Sequence, residues 1–124
     1  MSLSGGVLAA LQRAGVRDVR SDTTTRAVYS TDASLYRVAP EVVVFPRDAD
    51  EVAATLAACR AEGAPLTARG AGTSVAGNAI GPGVVLDFSR YMNKVLSVSA
   101  DPAEGVPAVR SSSPGWCTPP CRSR

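Results

Sequence analysis

Residues 42–68 read as a strand, a helix and a second strand, and no other stretch of the sequence restricts the possible folds as tightly. The β-branched and aromatic run at residues 42–45 predicts a buried strand. Asp48 is typical of a helix N-cap, and Gly63 stands where the left-handed residue after a helix belongs. Residues 66–68 then predict a second strand. This order is typical of a βαβ crossover between parallel strands.

The helix inside this unit is predicted to be capped and amphipathic. Glu51 follows Asp48 by three residues, which is the spacing of a capping box. Val52, Leu56 and Cys59 recur at helical spacing, so we expect them to face the core.

The rest of the chain is less regular. Apolar residues at helical spacing predict a helix over residues 2–14, and the polar residues 17–37 read as a loop with one short helix. Two further strands are predicted at residues 84–88 and 95–98. From residue 106 onward the sequence has neither a helical nor a strand period and holds four of the nine prolines, so irregular structure is expected there.

Length and charge exclude several classes of function. No apolar run among the 124 residues reaches the roughly 18 residues of a membrane helix, so no membrane span is expected. The net charge of +2 comes from 13 basic and 11 acidic residues, and three of the arginines lie beyond residue 104, where no acid occurs. The remainder is near neutral, so nucleic-acid binding is not predicted.

Histidine is absent from the sequence. Its absence removes the commonest general base and metal ligand, and with them any Ser-His-Asp triad. The three cysteines, Cys59, Cys117 and Cys121, have neither the spacing nor the second ligand pair of a zinc site, so no metal is expected. The number of cysteines is odd, and the first residues show no secretory signal. Together these features predict reduced thiols and a cytoplasmic location.

The strongest candidate for chemistry is the glycine-rich stretch at residues 69–78, which follows the second strand of the βαβ unit. Glycine lets a backbone approach a ligand closely, and successive free N–H groups in such a turn form an anion site. Thr73 and Ser74 add hydroxyl donors, while Arg69 either balances phosphate charge or packs its stem on the sheet edge. Open α/β sheets bind ligands at the carboxyl ends of their strands. An anion- or nucleotide-binding loop is therefore one interpretation, and a structural turn is the other.

Two common phosphate-binding motifs do not fit this loop. The spacing from Gly72 to Gly77 matches a Walker A loop, but Asn78 follows where lysine is required. Gly70 and Gly72 match the start of a Rossmann fingerprint, but Val75 occupies the position of its third glycine. The pattern therefore predicts neither a P-loop NTPase nor a Rossmann dinucleotide site.

Three other polar or reactive residues receive structural interpretations. Asp32 and Asp87 have no histidine or second acid beside them in sequence, so we expect hydrogen-bonding groups at turns and strand ends and not catalysts. Cys59 is expected to be a small core residue.

Four separate blocks of the sequence, in order, resemble the beginning of FAD-linked oxidases. They are residues 29–32, 46–52, 69–77 and 85–95, and the similarity spans roughly residues 20–100. The branch most similar is that of D-lactate dehydrogenases and glycolate oxidase subunits, including long forms fused to an iron–sulfur module. The resemblance implies an α+β fold: the first subdomain of a PCMH-type FAD-binding domain of the vanillyl-alcohol oxidase superfamily. That is a βαβ unit plus further short strands, truncated, with an irregular C-terminal tail.

The resemblance also implies a set of cofactor-binding residues. In this family the loop matching residues 69–78 wraps the FAD pyrophosphate, and the strand end at Pro46 lies near the adenosine half. Covalent members often have a histidine where Thr73 stands, so the FAD is expected to be non-covalent here. The implied cofactor-binding residues are Arg69, Gly70, Ala71, Gly72, Thr73, Ser74, Gly77, Asn78 and Pro46.

The implied function is that of an N-terminal fragment of an FAD-dependent oxidoreductase. Full-length members of the family oxidise 2-hydroxy acids of the D-lactate or glycolate type, with hydride passing to the flavin. No part of this chain matches the family's second cofactor-binding stretch or substrate-binding cap. No catalytic residue is therefore assigned, and the chain alone is expected to be inactive and to bind FAD poorly. The alternatives are a nucleotide- or anion-binding module and, as a minor enzyme alternative, the cell-wall precursor reductase branch of the same flavin fold.

These expectations divide the chain into a lead-in with a helix at residues 1–19, a partial FAD-binding domain at 20–105 and a tail at 106–124. The tail is interpreted as disordered or as an out-of-frame reading. Codons shifted by one base across Trp116 and Cys117 specify valine, and the family continues with a Pro-Gly-Val-Val-like turn. The chain would then be a non-functional remnant of a frameshifted gene. Sequencing the locus tests this hypothesis: one uninterrupted frame, with no family-like continuation in either other frame, removes it.

Overall fold

Three helices and two sheets make up the described part of the chain, residues 3–101 and 106–111 of a computed structural model. This α+β composition agrees with the fold class predicted from the sequence. In chain order the elements are α1 (Leu3–Arg13), β1 (Val19–Arg20), α2 (Thr23–Val28), β2 (Val42–Val44), α3 (Ala49–Glu62), β3 (Leu66–Arg69), β4 (Val84–Asp87), β5 (Val95–Asp101) and β6 (Val106–Ser111).

The larger sheet has the strand order β1-β2-β4-β3. β4 pairs in parallel with both of its neighbours, because Val84 is the register partner of Val42 in β2 and of Leu66 in β3. β1 adds an antiparallel edge, with Val19 opposite Val44. The predicted βαβ unit is confirmed, with one difference: β2 and β3 do not touch, since β4 lies between them.

The ends of α3 form as the sequence predicts. The Asp48 carboxylate accepts the main-chain N–H of Glu51 at 2.9 Å, and Gly63 closes the helix with a φ of 64°. Glu51 accepts the N–H of Arg47 at 2.8 Å, one residue before the N-cap, and the guanidinium Nε of Arg17 at 2.5 Å. The Glu51 side chain therefore bonds the main chain of Arg47, one residue before the Asp48 N-cap that the capping box predicts. The same side chain also holds Arg17, in the loop after α1.

The buried face of α3 differs from the predicted one. Leu56 is 50% exposed, so the prediction that it faces the core is wrong. The buried residues of the helix are Glu51, Thr55, Ala58 and Cys59. The buried stripe is displaced because the Glu51 carboxylate is turned inward by its bonds to Arg17 and Arg47.

The two central strands, β2 and β4, bury both of their faces. On one face, side chains of α1 and α3 pack against side chains of β2 and β4 to form the main apolar cluster. Its members are Val7, Leu11, Val16, Val42, Val44, Ala58, Cys59, Val84, Leu86, Phe88 and Met92. On the other face Val43, Phe45 and Val85 form a smaller cluster, against which Tyr29 packs. This alternation follows the two-residue period of a strand, and Cys59 is a core residue as expected. The candidate site is built on the Tyr29 face.

Two strands are not indicated by the sequence pattern. β1 has only two residues, and β6 contains Pro107 in the stretch expected to be irregular. Proline is tolerated in an edge strand, and each strand of the two-stranded β5-β6 sheet is an edge strand.

Residues 112–124, which include Cys117, Cys121 and the proposed out-of-frame tail, lie outside the described residues. In the described part of the chain, no helix is long and apolar enough to span a bilayer.

Candidate functional site

The three parallel strands end at one edge of the sheet, and the candidate site lies along that edge. β3 ends at Arg69 and continues into the glycine-rich loop, β2 is followed by Phe45 and Pro46, and β4 ends between them at Asp87. Because β4 separates the other two strands, Pro46 lies two strand positions from Arg69, which is about 10 Å at the usual inter-strand spacing. The edge collects residues from three stretches that are distant in sequence.

The loop after β3 presents a run of main-chain N–H groups. Among the described residues, no acceptor binds the N–H groups of residues 70–75. Gly72 and Gly77 have φ angles of 69° and 78°, in the left-handed region that glycine adopts without steric cost. Consecutive N–H groups of this kind on a glycine-rich turn form a concave site for an anion.

Ser74 shapes the second half of the loop. Its hydroxyl oxygen accepts the N–H of Ala76 at 3.3 Å and that of Asn78 at 3.1 Å. The hydroxyl hydrogen of Ser74 is not used in either bond, so this group remains able to donate to a ligand.

Arg69 ties the loop to the neighbouring chain. Its Nη1 atom donates to the carbonyl oxygens of Thr31 at 2.9 Å and Ala79 at 3.2 Å. The Asp32 carboxylate accepts the N–H of Ala79 at 3.3 Å. A Cβ built on Gly72 would overlap Nη2 of Arg69, so the loop closes over the guanidinium. These contacts fix both ends of the loop to the segment that follows α2.

Tyr29 connects Arg69 to the sheet. The guanidinium carbon of Arg69 is 4.9 Å from the centroid of the Tyr29 ring, and Phe45 meets that ring edge-on at a centroid distance of 5.6 Å. The Tyr29 hydroxyl donates to the Asp87 carboxylate at 2.5 Å. Burial, and after it this hydrogen bond, raises the pKa of Tyr29, so the phenol stays protonated at neutral pH and remains a donor.

Both aspartates act as predicted. Asp87 accepts the N–H of Ser89 at 2.7 Å, directly after β4. Asp32 accepts the N–H of Ser34 at 2.8 Å in a tight turn. Each carboxylate therefore holds a turn or strand end, and neither is paired with a second acid in the bonds described.

Three arginines at this edge are each stacked on an aromatic ring. Distances from the guanidinium carbon to the ring centroid are 4.8 Å for Arg47 on Tyr91, 4.9 Å for Arg69 on Tyr29 and 4.2 Å for Arg90 on Phe45. Stacking of this kind is attractive and orients the cation. The arginines follow or end the three parallel strands, at the edge where the loop lies, and Arg90 is paired there with Asp18 at 3.4 Å.

The structure brings most of the predicted cofactor-binding residues together. Pro46 is separate from them: it lies at the same edge but is less than 2% exposed, so its ring packs inside the protein. One loop and the strand end that leads into it hold the others, which are Arg69, Gly70, Ala71, Gly72, Thr73, Ser74, Gly77 and Asn78.

Sequence reasoning missed the residues that hold the loop from outside. They are Tyr29, Thr31 and Ala79, which contact Arg69 through a ring face and two carbonyl groups. The similarity block at residues 29–32 was a signal for two of them, but the block alone does not show what its residues contact.

A family model described as an FAD binding domain matches residues 40–107, more than half of the chain. This chain belongs to that FAD-binding domain family. The matched residues include β2, β3, β4 and the whole glycine-rich loop. The resemblance found in the sequence is therefore confirmed.

Relatives of this FAD-binding domain include hydroxy-acid dehydrogenases. D-2-hydroxyglutarate dehydrogenase of Pseudomonas putida is 42% identical over 98 residues, which are 76% of this chain and 10% of that protein. Glycolate oxidase subunit GlcD of Bacillus subtilis is 32% identical over 94 residues, 73% of this chain and 20% of that subunit. The chain thus spans about a tenth to a fifth of the length of these curated relatives.

Solved structures match this FAD-binding domain in fold. The 4-ethylphenol oxidase from Gulosibacter chungangensis superposes with a TM-score of 0.62 at 19% identity, over 79% of this chain and 20% of that one. The expected PCMH-type fold is confirmed.

Proposed function

We propose that residues 69–78 bind the diphosphate bridge of FAD, as part of an FAD-dependent oxidoreductase that oxidises 2-hydroxy acids. The observation that carries this proposal is the run of N–H groups at residues 70–75, which have no acceptor among the described residues and lie at the carboxyl edge of a parallel sheet. A diphosphate offers several anionic oxygens within reach of such a run. Membership of the FAD-binding domain family favours the flavin nucleotide over other diphosphates.

The donor chemistry of the loop fits a diphosphate. The main chain of residues 70–75 supplies N–H donors, and Thr73 and Ser74 supply hydroxyl groups. Residues 69–78 contain no acid, so nothing in the loop repels an anion. Asn78 is proposed to close the far side of the site. Pro46 is proposed to shape the edge near the adenosine half without contacting it, since its ring is buried.

The reaction class rests on the relatives. Their names, D-2-hydroxyglutarate dehydrogenase and glycolate oxidase subunit, both refer to 2-hydroxy acids. When bound, FAD supplies a ring that accepts hydride from such a substrate. The part of the reaction assigned to residues 69–78 is to bind and orient the cofactor, and no acid–base step is assigned to them.

We further propose that the FAD is held non-covalently and that the protein is cytoplasmic. The absence of histidine from the 124 residues supports the first point, because no histidyl bond to the flavin can form here. Acid precipitation should therefore leave all flavin in the supernatant. Cys59, the cysteine of the described residues, is a buried free thiol, which is consistent with a reducing compartment. Cell fractionation tests the second point.

The binding proposal is tested on the ¹⁵N-labelled full chain by adding FAD, ADP or riboflavin. Amide resonances of residues 70–75 should move with FAD and with ADP, because both carry the diphosphate. They should not move with riboflavin, which lacks phosphate. Nuclear magnetic resonance suits this test because it also detects weak, millimolar binding. Unmoved loop amides at millimolar FAD would contradict the proposal.

A charge-bearing variant gives an independent test. Ala71→Asp places a carboxylate on the exposed side of the loop, where it should repel the diphosphate and abolish the FAD-dependent shifts. Ala53→Asp adds the same charge at an exposed position early in α3 and should bind FAD like the unmodified chain. Equal loss in both variants would mean that net charge and not the loop decides binding.

A further inference from the structure

We propose that Arg69 is a positioning residue, which sets the spacing of the loop N–H groups and does not itself contact the phosphates of the cofactor. This inference rests on the proposed function, because it concerns the same diphosphate site. It assigns to Arg69 a different role from that of a phosphate ligand.

The hydrogen bonds of the guanidinium are the first argument. Nη1 is shared between two main-chain carbonyl groups, those of Thr31 at 2.9 Å and Ala79 at 3.2 Å. Arg69 stands at the start of the loop and Ala79 directly after it, so one side chain fixes the distance between the two ends. A phosphate bound at Nη1 would compete with both carbonyls for the same atom.

The second argument is the surface on which the guanidinium lies. Tyr29 holds its ring 4.9 Å from the guanidinium carbon. That ring is fixed by its hydroxyl bond to Asp87 and by its edge-on contact with Phe45. Arg69 is therefore oriented by the sheet face and does not depend on a ligand for its position.

The third argument is the position of the main chain over the guanidinium. A Cβ on Gly72 would overlap Nη2, so the main chain at Gly72 is in close contact with this part of the arginine. The guanidinium is thus packed against the turn that carries the N–H groups. From there its charge attracts an anion through space while the main-chain donors make the contacts.

Lysine cannot replace arginine in this role. Its ammonium keeps the charge and can donate to carbonyl groups, but it lacks the planar guanidinium that stacks on the Tyr29 ring while Nη1 bonds both carbonyls. A point-charge contact with phosphate would survive Arg69→Lys, because lysine is a common phosphate ligand. The two roles of Arg69 therefore predict opposite results for the same substitution.

The experiment measures FAD binding and loop amide resonances of the full chain in three forms: unmodified, Arg69→Lys and Arg26→Lys. Arg26 is the control, because its Nε also donates to a main-chain carbonyl, that of Pro40 at 2.7 Å, away from the loop. In Arg69→Lys the amide resonances of residues 70–79 should move before any ligand is added. The dissociation constant for FAD should rise about 10- to 100-fold, as is typical for loss of a group that orients a binding site. Arg26→Lys should leave both unchanged.

A measurement on the unmodified chain tests the positioning role of Arg69 even if Arg69→Lys does not fold. The guanidinium resonances of Arg69 should stay in place while the loop amides shift on adding FAD. Large guanidinium shifts, or an Arg69→Lys chain with unmodified affinity, would overturn the positioning role. If the unmodified chain does not bind FAD, the proposed function fails by itself. Unchanged loop amides in free Arg69→Lys would then overturn the inference separately, and moved amides would support it.

Discussion

Replacing Gly72 with alanine tests how closely the loop is held against Arg69. Gly72 has a φ of 69°, a conformation that costs an L-residue about 1–2 kcal/mol. The added Cβ would also overlap Nη2 of Arg69, so the guanidinium must move away from the Thr31 and Ala79 carbonyls, and loss of these two hydrogen bonds costs about 0.5–1.5 kcal/mol each. Together these terms predict that Gly72→Ala lowers the free energy of unfolding by about 2–5 kcal/mol.

The matched control is Gly63→Ala at the end of α3. Gly63 has a similar φ of 64°, but no atom lies within 4 Å of the position of its Cβ. This variant should lose only the conformational part, about 1–2 kcal/mol. The difference between the two variants measures the contact with Arg69, and urea denaturation followed by far-ultraviolet circular dichroism gives both values.

A double-mutant cycle isolates the contact further. Arg69→Ala removes the atoms that the new Cβ meets, so Gly72→Ala should cost less in that background than in the unmodified chain. The coupling free energy should be about 1 kcal/mol or more. Equal losses at Gly72 and Gly63, or a coupling near zero, would refute the reasoning that the loop closes over the guanidinium.

Two further predictions concern titrating groups. Burial acts to raise the pKa of Asp18, but hydrogen bonds from Arg20 and Tyr91, together with the positive charges of Arg20 and Arg90, outweigh it and hold the pKa below its usual range. The ionised carboxylate therefore contributes stability above its unfolded pKa of about 3.9, and this is lost as pH falls through the folded value. Asp18→Asn should flatten the acid side of a plot of urea midpoint against pH, and an unaltered acid side would count against this account. Burial raises the pKa of Cys59, so iodoacetamide should alkylate it far more slowly in the folded chain than in urea, as peptide mass spectrometry can show; similar rates would disprove its burial.

The parts of the fold that depend on neighbours in sequence were predictable. Asp48, Glu51 and Gly63 define the ends of α3 through contacts within a few residues, and the structure has these contacts. The run at residues 42–45 indicated a buried strand because β-branched residues recur without a polar interruption. Local chemistry alone decides such features.

The parts that depend on distant pairing were not predictable. The insertion of β4 between β2 and β3 follows from pairing across the loop, which no local period encodes. Leu56 faces outward because Glu51 is drawn inward by Arg17, a residue 34 positions earlier. β6 depends on its partner β5, and its own sequence shows no strand period.

The candidate site divides in the same way. Glycine content and position after a strand identified the loop as the site of interest. Arg69 is held by the main-chain carbonyls of Thr31 and Ala79 and by the ring face of Tyr29, and contacts of this kind leave no pattern in the sequence. The composition of the loop can be read from the sequence, whereas the contacts that hold its shape are seen only in the folded structure.

The insertion of β4 has a consequence for synthesis on the ribosome. Once residue 69 has been made, β2, α3 and β3 all exist as sequence, but a gap the width of one strand separates the two strands in the finished sheet. β2 can pair with β1 before this point, but the ladders of β2 and β3 with β4 form only when residues 84–87 emerge, after the entire glycine-rich loop has been translated. During this interval β3 and the loop have no partner strand, and β4, the last strand of this sheet to be made, joins β3 to β2.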